Sequence, residues 1–372
     1  MGSAAAAAGR TAGAAARGTQ AHWHRQEREG WNQSQDAGRG RRMSILRVCA
    51  MLLALVLLGS LGPAALAAPA VGTVVLYTSL PQEIATDFAR AFMANVPQIK
   101  LEVLRSGSTE LERRIFAEME TGGIRADVLW LADAPVFITL REKGQLLAYR
   151  SPEARMIPTA WKDPQGFFTA GRLINMIIAV NTTLIPERVA PKRWADFPRY
   201  GKTAAMPNPF FSGSVFVVVA TFVKEYGWGW FERARREGVQ VLRGNSEVAR
   251  ALAAREFGVG MTLDFIAYGM IRDGAPLAII WPEEGAVSVP SPVAITRNAK
   301  NPEGAKQFID FVLSKEGQQA LVRLGIIPVR ADVEPPKGLP RPAEIKTLPI
   351  PFEWAAANAA DIRKKFEEIM LK

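Results

Sequence analysis

Residues 203–222 read TAAMPNPFFSGSVFVVVATF, and the order of patterns in this stretch predicts the fold of the chain. A short apolar run at 203–206 ends in the turn PNP at 207–209, and an apolar segment compatible with a helix begins at Val215. The triplet SGS at 212–214 lies where that helix begins. The first N–H groups of a helix have no partner within it and lie at the positive end of its dipole. The stretch therefore predicts a strand, a turn and a helix whose N-terminus either is simply capped or holds an anion.

The same succession of patterns recurs before and after this stretch. A strand, a polar segment and a helical pattern are predicted three times between residues 74 and 143, and the long apolar run at 173–180 leads into a second such set. Strands that alternate with helices at these lengths indicate βαβ units and mostly parallel sheets. We therefore predict an α/β fold that contains two sets of this kind.

Polar residues cluster where the predicted strands end and the helices begin. Ligands bind beyond the carboxyl ends of parallel strands, and helix N-termini favour anions. Each of these positions by itself is an ordinary helix cap, but together they predict a cleft that holds a small anion. The candidate ligand-binding residues are Thr78, Ser79, Ser106, Ser108, Asp133, Ser212, Gly213, Ser214, Asn245 and Asp264.

Composition and charge narrow the class of protein. The chain has 372 residues, of which 48% are hydrophobic and 22% charged, as expected for a folded soluble protein long enough for two domains. The net charge of +10 is uneven, because residues 1–67 contain eight arginines and three acids. The rest of the chain has a mild positive excess, which does not require nucleic acid as a partner.

The first 67 residues have the pattern of an extension followed by a secretion signal. Residues 1–42 are rich in Ala, Gly and Arg and indicate either a disordered extension or a misassigned start. Residues 43–67 combine a basic start, an apolar run at 48–58 and a small-residue cleavage motif at 65–67, as signal peptides do. We therefore predict export to the periplasm, with the signal either cleaved or retained as an anchor.

Catalytic classes that depend on His or Cys are excluded after the predicted signal. The single Cys, Cys49, lies in the signal, and both His, His22 and His24, lie in the extension. A Ser-His-Asp triad, a Cys nucleophile and a zinc site of thiolates or imidazoles therefore cannot form in the mature chain. A Ser-Lys or paired-carboxylate site stays open. We expect no catalytic residue, no bound metal and no cofactor.

Seven motifs carry a resemblance to a known family. They are VVLYTSL at 74–80, RADVLWLADAP at 125–135, NPFFSGS at 208–214, RGNSEVARAL at 243–252, WPEEGAVSVPSPVAI at 281–295, NPEGAKQFIDFVLSKEGQQAL at 301–321 and IIPVR at 326–330. In this order they resemble the periplasmic solute-binding proteins of ABC importers, in the branch that binds ferric ion, 2-aminoethylphosphonate or sugar phosphates. The resemblance implies two α/β lobes, each a mostly parallel sheet flanked by helices, joined by hinge strands and closing over a solute. It implies that residues 68–170 plus 290–372 form lobe 1 and residues 171–289 form lobe 2.

The resemblance also separates a metal half of the family's binding site from an anion half. Ferric binders hold iron with a His or Glu after the first strand, a Glu after the third strand and two adjacent Tyr in the second lobe. The aligned positions here are Leu80-Pro81, Ala132 and Phe265-Ile266, which offer no carboxylate or phenolate oxygen. The residues that hold the family's synergistic anion do match, at Ser212, Gly213, Ser214 and Asn245.

The expected function is that of an extracellular receptor and not of an enzyme. We expect it to capture a small organic anion, a phosphonate or phosphate ester, and to deliver it to the membrane permease of an ABC importer. Asp133 and Asp264 could pair with an ammonium group on the ligand, which would favour 2-aminoethylphosphonate, although Asp264 could equally cap a helix. The alternatives are a ferric-ion-binding protein with atypical ligands and a hydrolase or transferase that acts on a phosphorylated solute. We expect a monomer without a nucleic-acid partner.

Overall fold

Strands and helices alternate along the chain in the computed structural model, which describes residues 71–372. The predicted extension at 1–42 and signal peptide at 43–67 lie outside the described residues. The strands are β1 Gly72–Thr78, β2 Ile99–Arg105, β3 Val128–Trp130, β4 Leu146–Leu147, β5 Thr169–Asn181, β6 Ala204–Pro207, β7 Gln240–Leu242, β8 Val259–Leu263, β9 Leu277–Ile280 and β10 Val287–Thr296. The α-helices are α1 Gln82–Asn95, α2 Ser108–Glu120, α3 Ala134–Glu142, α4 Gly213–Tyr226, α5 Gly229–Glu237, α6 Asn245–Ala253, α7 Asp264–Arg272, α8 Pro302–Leu313, α9 Lys315–Arg323, α10 Phe352–Ala357 and α11 Ala359–Met370. Short 3-10 helices cover Pro152–Met156, Thr159–Trp161, Glu187–Val189, Trp194–Thr203 and Pro342–Glu344.

The strands form one sheet with a parallel part at each end. Their order is β2-β1-β3-β10-β5-β8-β6-β7, with β4 added beside β10 and β9 beside β5. Strand β1 is parallel to β2 and β3, and β6 is parallel to β7 and β8. We call β1–β3 with their helices the first lobe and β6–β8 with theirs the second lobe. Strands β5 and β10 are antiparallel and join the two parts, so the predicted two-lobed α/β fold class is confirmed.

The elements at the junction of the lobes are deeply buried. All residues of β5 are buried, because elements cover both faces of the sheet there. Helix α4 is buried from Gly213 to Phe222 around its whole circumference, which is typical of a helix inside a fold. As a result, the N-terminus of α4 lies inside the molecule. In the part of the chain from residue 71 onward, no helix is both long and apolar enough to cross a membrane.

The C-terminal residues contact both lobes. Thr347 forms a β-bridge with Ala286, α10 packs on α3 of the first lobe, and α11 packs on α4 and α5 of the second lobe. The ring of Phe366 in α11 lies 5.7 Å from that of Phe231 in α5. The lobe bounds given above stay a prediction, and the contacts of α11 with α4 and α5 place this helix beside residues that the prediction assigns to lobe 2.

Candidate anion-binding site

A cavity of ≈ 200 Å³ lies between the lobes. It is found where strands end and helices begin, as parallel α/β sheets predict. Five of the predicted ligand-binding residues line it, Ser79 and Ser108 from the first lobe and Ser212, Ser214 and Asn245 from the second. The structure therefore brings together residues that are far apart in the sequence.

Helices α4 and α6 present their N-termini to this cavity. The side chain of Ser212, directly before α4, accepts no hydrogen bond from that helix, and Gly244 before α6 has no side chain that could accept one. The first N–H groups of each helix are therefore without a side-chain cap among the described residues. Such groups, at the positive end of the helix dipole, are suited to bind a negatively charged oxygen.

An amide and two hydroxyl groups form a cluster at these N-termini. The Nδ2 of Asn245 donates to the Oγ of Ser212 at 3.1 Å and to that of Ser214 at 3.3 Å, and the two hydroxyl oxygens are 3.0 Å apart. Both hydroxyl groups accept from the amide and one donates to the other, so the remaining hydroxyl proton can point toward a ligand oxygen. The buried Oδ1 of Asn245 has no hydrogen-bond partner in the described part of the chain.

Arg172 in β5 adds a buried positive charge to the lining of the cavity. Its side chain is 1% exposed, and its Nη1 has no hydrogen-bond partner among residues 71–372. The guanidinium lies 6.0 Å from the ring of Trp130 and 5.6 Å from that of Phe265. Burial lowers its pKa to about 9, and the charge of Asp264 acts in the opposite direction. At neutral pH this is a buried cation with an unused donor, which is costly unless an anion binds beside it.

Three further arginines line the cavity nearer to solvent. These are Arg105, Arg243 and Arg250. Arg243 pairs with Glu110 at 3.1 Å and lies over the ring of Phe211. Arg105 donates through its Nε to the backbone oxygen of Leu80 at 2.9 Å. With Arg172 they give the cavity four cationic side chains, against the two acids Glu110 and Glu247.

Sequence reasoning missed all four arginines. One signal was available for Arg172, because a cation directly before the apolar run at 173–180 is unusual in a strand buried on both faces. Arg243 and Arg250 lie in the motif RGNSEVARAL, where only Asn245 was given a role. No local pattern distinguishes Arg105 from an ordinary arginine at the end of a strand.

Five of the predicted residues do not line the cavity, and three of them are Thr78, Ser106 and Gly213. The Oγ1 of Thr78 is buried, donates to the backbone oxygen of Trp130 at 2.9 Å and accepts from the N–H of Leu80. Ser106 donates to the carboxylate of Glu110. Gly213 lies behind the wall, at the start of α4. Their roles in ligand binding remain predictions.

Asp264 is buried, and its carboxylate oxygens accept hydrogen bonds from another residue of the protein. It accepts from the N–H of Asn175 at 3.0 Å and from its Nδ2 at 2.7 Å. Burial raises its pKa to about 6, although the bonds to Asn175 and the charge of Arg172 oppose this shift. Asp264 begins α7 and does not line the cavity, so its oxygens are not offered to a ligand there.

Asp133 is also fully buried and lies behind the cavity wall. Neither carboxylate oxygen has a hydrogen-bond partner in the described residues. Burial raises its pKa to about 7, the charge of Glu112 raises it further, and Arg363 opposes them. With neither Asp133 nor Asp264 on the wall, the reason for expecting an ammonium group on the ligand no longer holds.

The positions aligned with iron ligands do lie at this cavity. Pro81, Ala132, Phe265 and Ile266 all line it, and none of them offers an oxygen ligand from its side chain. Within residues 71–372, no group of three or more His, Cys, Asp or Glu is placed to hold a metal ion.

Comparisons with known proteins agree with this two-lobed fold. Residues 126–357 match the sequence family described as bacterial extracellular solute-binding protein. A probable ABC transporter periplasmic-binding protein of Sinorhizobium fredii is 23% identical over 62% of this chain and 67% of its own. The periplasmic binding protein AfuA of Actinobacillus pleuropneumoniae, solved with fructose-6-phosphate bound, has a TM-score of 0.73 and 25% identity, covering 81% of this chain and 99% of AfuA. Iron-bound HitA of Pseudomonas aeruginosa has a TM-score of 0.71 at 20% identity, covering 79% of this chain and 99% of HitA.

Proposed function

Since the chain belongs to the family of bacterial extracellular solute-binding proteins, we propose that its cavity captures a phosphate monoester or a phosphonate for import. The family consists of binding proteins, which agrees with the predicted receptor and not with a hydrolase or transferase. The protein would release its solute to the membrane permease of an ABC importer, as the name of the Sinorhizobium relative suggests.

The observation that carries this proposal is Arg172. The charge of Asp264 acts on this guanidinium, which is 1% exposed, but its Nη1 has no partner among the described residues, and the cavity is the space where a ligand can supply a charged acceptor. Arginine binds phosphate through charge-assisted hydrogen bonds, which are stronger than those between neutral groups. Ser212, Ser214 and the N-termini of α4 and α6 add donors for the remaining oxygens of the same group.

The lining favours a phosphorus oxyanion over ferric ion. Iron(III) prefers oxygen ligands, and the aligned positions Pro81, Ala132 and Phe265 supply none. AfuA, at 25% identity, was solved with fructose-6-phosphate, which supports an ester of phosphate as the ligand class. 2-Aminoethylphosphonate belongs to this ligand class because of its phosphonate group. Neither Asp133 nor Asp264 lies on the cavity wall to pair with its amine.

Thermal unfolding with a panel of solutes tests the proposal. The panel contains fructose 6-phosphate, glycerol phosphate, 2-aminoethylphosphonate, sulfate, and ferric ion with and without phosphate. A ligand at a hundred times its Kd adds about 2.7 kcal/mol to the free energy of unfolding, which raises the Tm by several degrees. We expect a rise with at least one phosphate ester or phosphonate.

Two variants locate the binding to this cavity. Ser212→Ala and Arg172→Met should lose the rise in Tm, whereas the control Thr86→Ala should keep it, because Thr86 is exposed on α1 and does not line the cavity. A rise in Tm with ferric ion alone would overturn the proposed ligand class. An unchanged rise in Arg172→Met would show that the anion binds elsewhere.

A further inference from the structure

Asp133 is a buried carboxyl group in direct contact with the wall of the anion cavity. Gly213, the first residue of α4, lies against both Asp133 and Ser108, the first residue of α2. A Cβ added at Gly213 would lie 2.6 Å from Oδ2 of Asp133 and 2.8 Å from Cβ of Ser108. The carboxyl group therefore lies directly behind the residues that begin two of the helices at the cavity.

A carboxyl group is costly in this position when it is ionised. Both oxygens are buried and lack hydrogen-bond partners in the described part of the chain, so nothing replaces the water that an ionised oxygen would lose. Most buried polar groups in proteins are hydrogen-bonded, and an exception needs a reason. The proposed capture of an anion does not by itself supply one.

Two charged side chains face Asp133, one from each of two helices. Glu112 of α2 raises the pKa of Asp133, and Arg363 of α11 lowers it. Arg363 and Glu112 also form a salt bridge with each other, Nη2 to Oε2 at 2.7 Å, so their opposite effects on the pKa of Asp133 partly cancel. The backbone N–H of Val136 in α3 faces the carboxyl group without normal hydrogen-bond geometry and also lowers its pKa, and Gly213 of α4 is uncharged. Burial is the largest of these influences and holds the pKa near 7.

We propose that Asp133 links anion binding to protonation: the anion binds while this carboxyl group is neutral, and ionisation of Asp133 weakens binding. The proposal rests on the proposed anion site. A negative charge behind the N-termini of α2 and α4 opposes a second negative charge in front of them, in surroundings where charges interact more strongly than in water. By linkage, the protein takes up a proton on binding when Asp133 is ionised in the free state.

Isothermal titration with sulfate tests the link, because sulfate keeps its double charge throughout the pH range used. Between about pH 6.5 and about pH 8.0 the affinity of the unaltered protein should fall by about five- to tenfold. In Asp133→Asn, which has nearly the same shape but cannot ionise, the affinity should stay level over this range. Titrations in buffers of different ionisation enthalpy should show proton uptake at the higher pH, and Asp133→Asn should show none.

Two variants of the facing charges should move the midpoint in opposite directions. Glu112→Gln removes an acid whose charge raises the pKa of Asp133, so the fall in affinity should move to lower pH. Arg363→Met removes a cation and should raise the midpoint. As a matched control, Asp310→Asn removes another carboxyl group with a raised pKa, one bonded to the Tyr149 hydroxyl, and should leave the profile unchanged. A merely structural role of Asp133 would not produce shifts of opposite sign.

The outcomes separate this inference from the proposed function. Sulfate binding with the same pH response in Asp133→Asn and in the unaltered protein would overturn the proton link and leave the anion site in place. If neither sulfate nor any phosphate ester or phosphonate of the panel bound to either protein at either pH value, the anion site and the link with it would be overturned. The window stays below the pKa of Arg172, about 9, so loss of that cation does not imitate the effect.

Discussion

Arg172 and Arg330 are both buried arginines, but their surroundings differ. Arg330 is 6% exposed and pairs with Glu153 at 2.7 Å and with Asp332 at 2.9 Å. Arg172 lies against aromatic rings and the cavity, with Nη1 unpartnered among the described residues. The partners of a paired arginine compensate its charge. An unpaired buried charge lowers stability, and a bound ligand is the best explanation for it. The two residues therefore provide a matched comparison.

Arg172→Met is expected to separate binding from stability. Removing this charge should leave the free energy of unfolding nearly unchanged, because the gain from an uncharged buried side chain is offset by the lost attraction to Asp264. Anion affinity should fall about tenfold or more. Arg330→Met should instead destabilise the protein, since Glu153 and Asp332 lose their partner. Urea unfolding measures the stability of each variant, and calorimetry measures its anion affinity. A strongly destabilised Arg172→Met would show that the charge of Arg172 is compensated in the unaltered protein.

Gly213→Ala should destabilise the protein by steric overlap. The new methyl group would lie 2.5 Å from Cβ of Asp133 and 2.8 Å from Cβ of Ser108, and overpacking of this kind typically costs about 1–3 kcal/mol. The control is Gly229→Ala at the start of α5, where no atom lies within 4 Å of the new methyl group. That variant should be neutral or more stable by up to about 1 kcal/mol. Equal results for both glycines in urea unfolding would contradict the packing described for Gly213.

The stability of the ligand-free protein should depend on pH through Asp133. Its pKa is raised to about 7 in the folded protein from its ordinary value of 3.8, so the folded state favours the protonated group. The corresponding stabilisation is complete below about pH 4 and is lost as the pH rises through about 7. Relative to Asp133→Asn, the unaltered protein should therefore become less stable between these values. Parallel pH curves of unfolding free energy for the two proteins would contradict the raised pKa.

At the scale of elements, α11 lies beyond the family match, which ends at residue 357, and yet it connects the lobes. Phe366 is fully buried and contacts Phe231 of α5. Arg363 lies 4.5 Å from the ring centroid of Phe216 in α4 and pairs with Glu112 of α2. This helix therefore packs mainly on the second lobe and carries an ion pair to the first.

Phe366→Ala should show how much α11 stabilises the fold. Truncating a fully buried Phe typically costs about 3–5 kcal/mol, through lost burial and the cavity that remains. The control Leu371→Ala lies just after the helix, is 40% exposed and should change stability by no more than about 0.5 kcal/mol. Urea midpoints give both values. If the two variants were alike, α11 would not be a structural part of the second lobe.

At the scale of the whole molecule, β5 and β10 are the paired strands that join the lobes, and the cavity lies between those lobes. A site built from both lobes is completed when they approach each other, which is the hinge motion of many binding proteins. The outer arginines, Arg105 in the first lobe and Arg243 and Arg250 in the second, line this cavity from both sides.

Small-angle scattering should therefore detect closure. With a saturating ligand from the panel, the radius of gyration should decrease, because the lobes close over the anion. Arg172→Met at the same ligand concentration should keep the value of the ligand-free protein. An unchanged radius in the unaltered protein with bound ligand would contradict the hinge model.

Local features of the sequence were sufficient for the elements and for part of the site. The run at 203–206, the turn at 207–209 and the SGS triplet predicted β6 and α4, because strand and helix periodicities and caps involve near neighbours. Ser212, Ser214 and Asn245 were found in the same way, as residues at helix N-termini, and all three line the cavity.

The roles of charged side chains were decided by the tertiary structure. A strand buried on both faces shows no alternation, so the sequence around Arg172 does not reveal which face its side chain takes or that Nη1 lacks a partner. Asp133 and Asp264 follow strands as the serines do, yet they lie behind the wall, one unpartnered and one bonded to Asn175. The sequence by itself determined the fold class, the family and the helix N-termini. Which charges meet the ligand depends on long-range packing, because burial and partners come from residues distant in the chain.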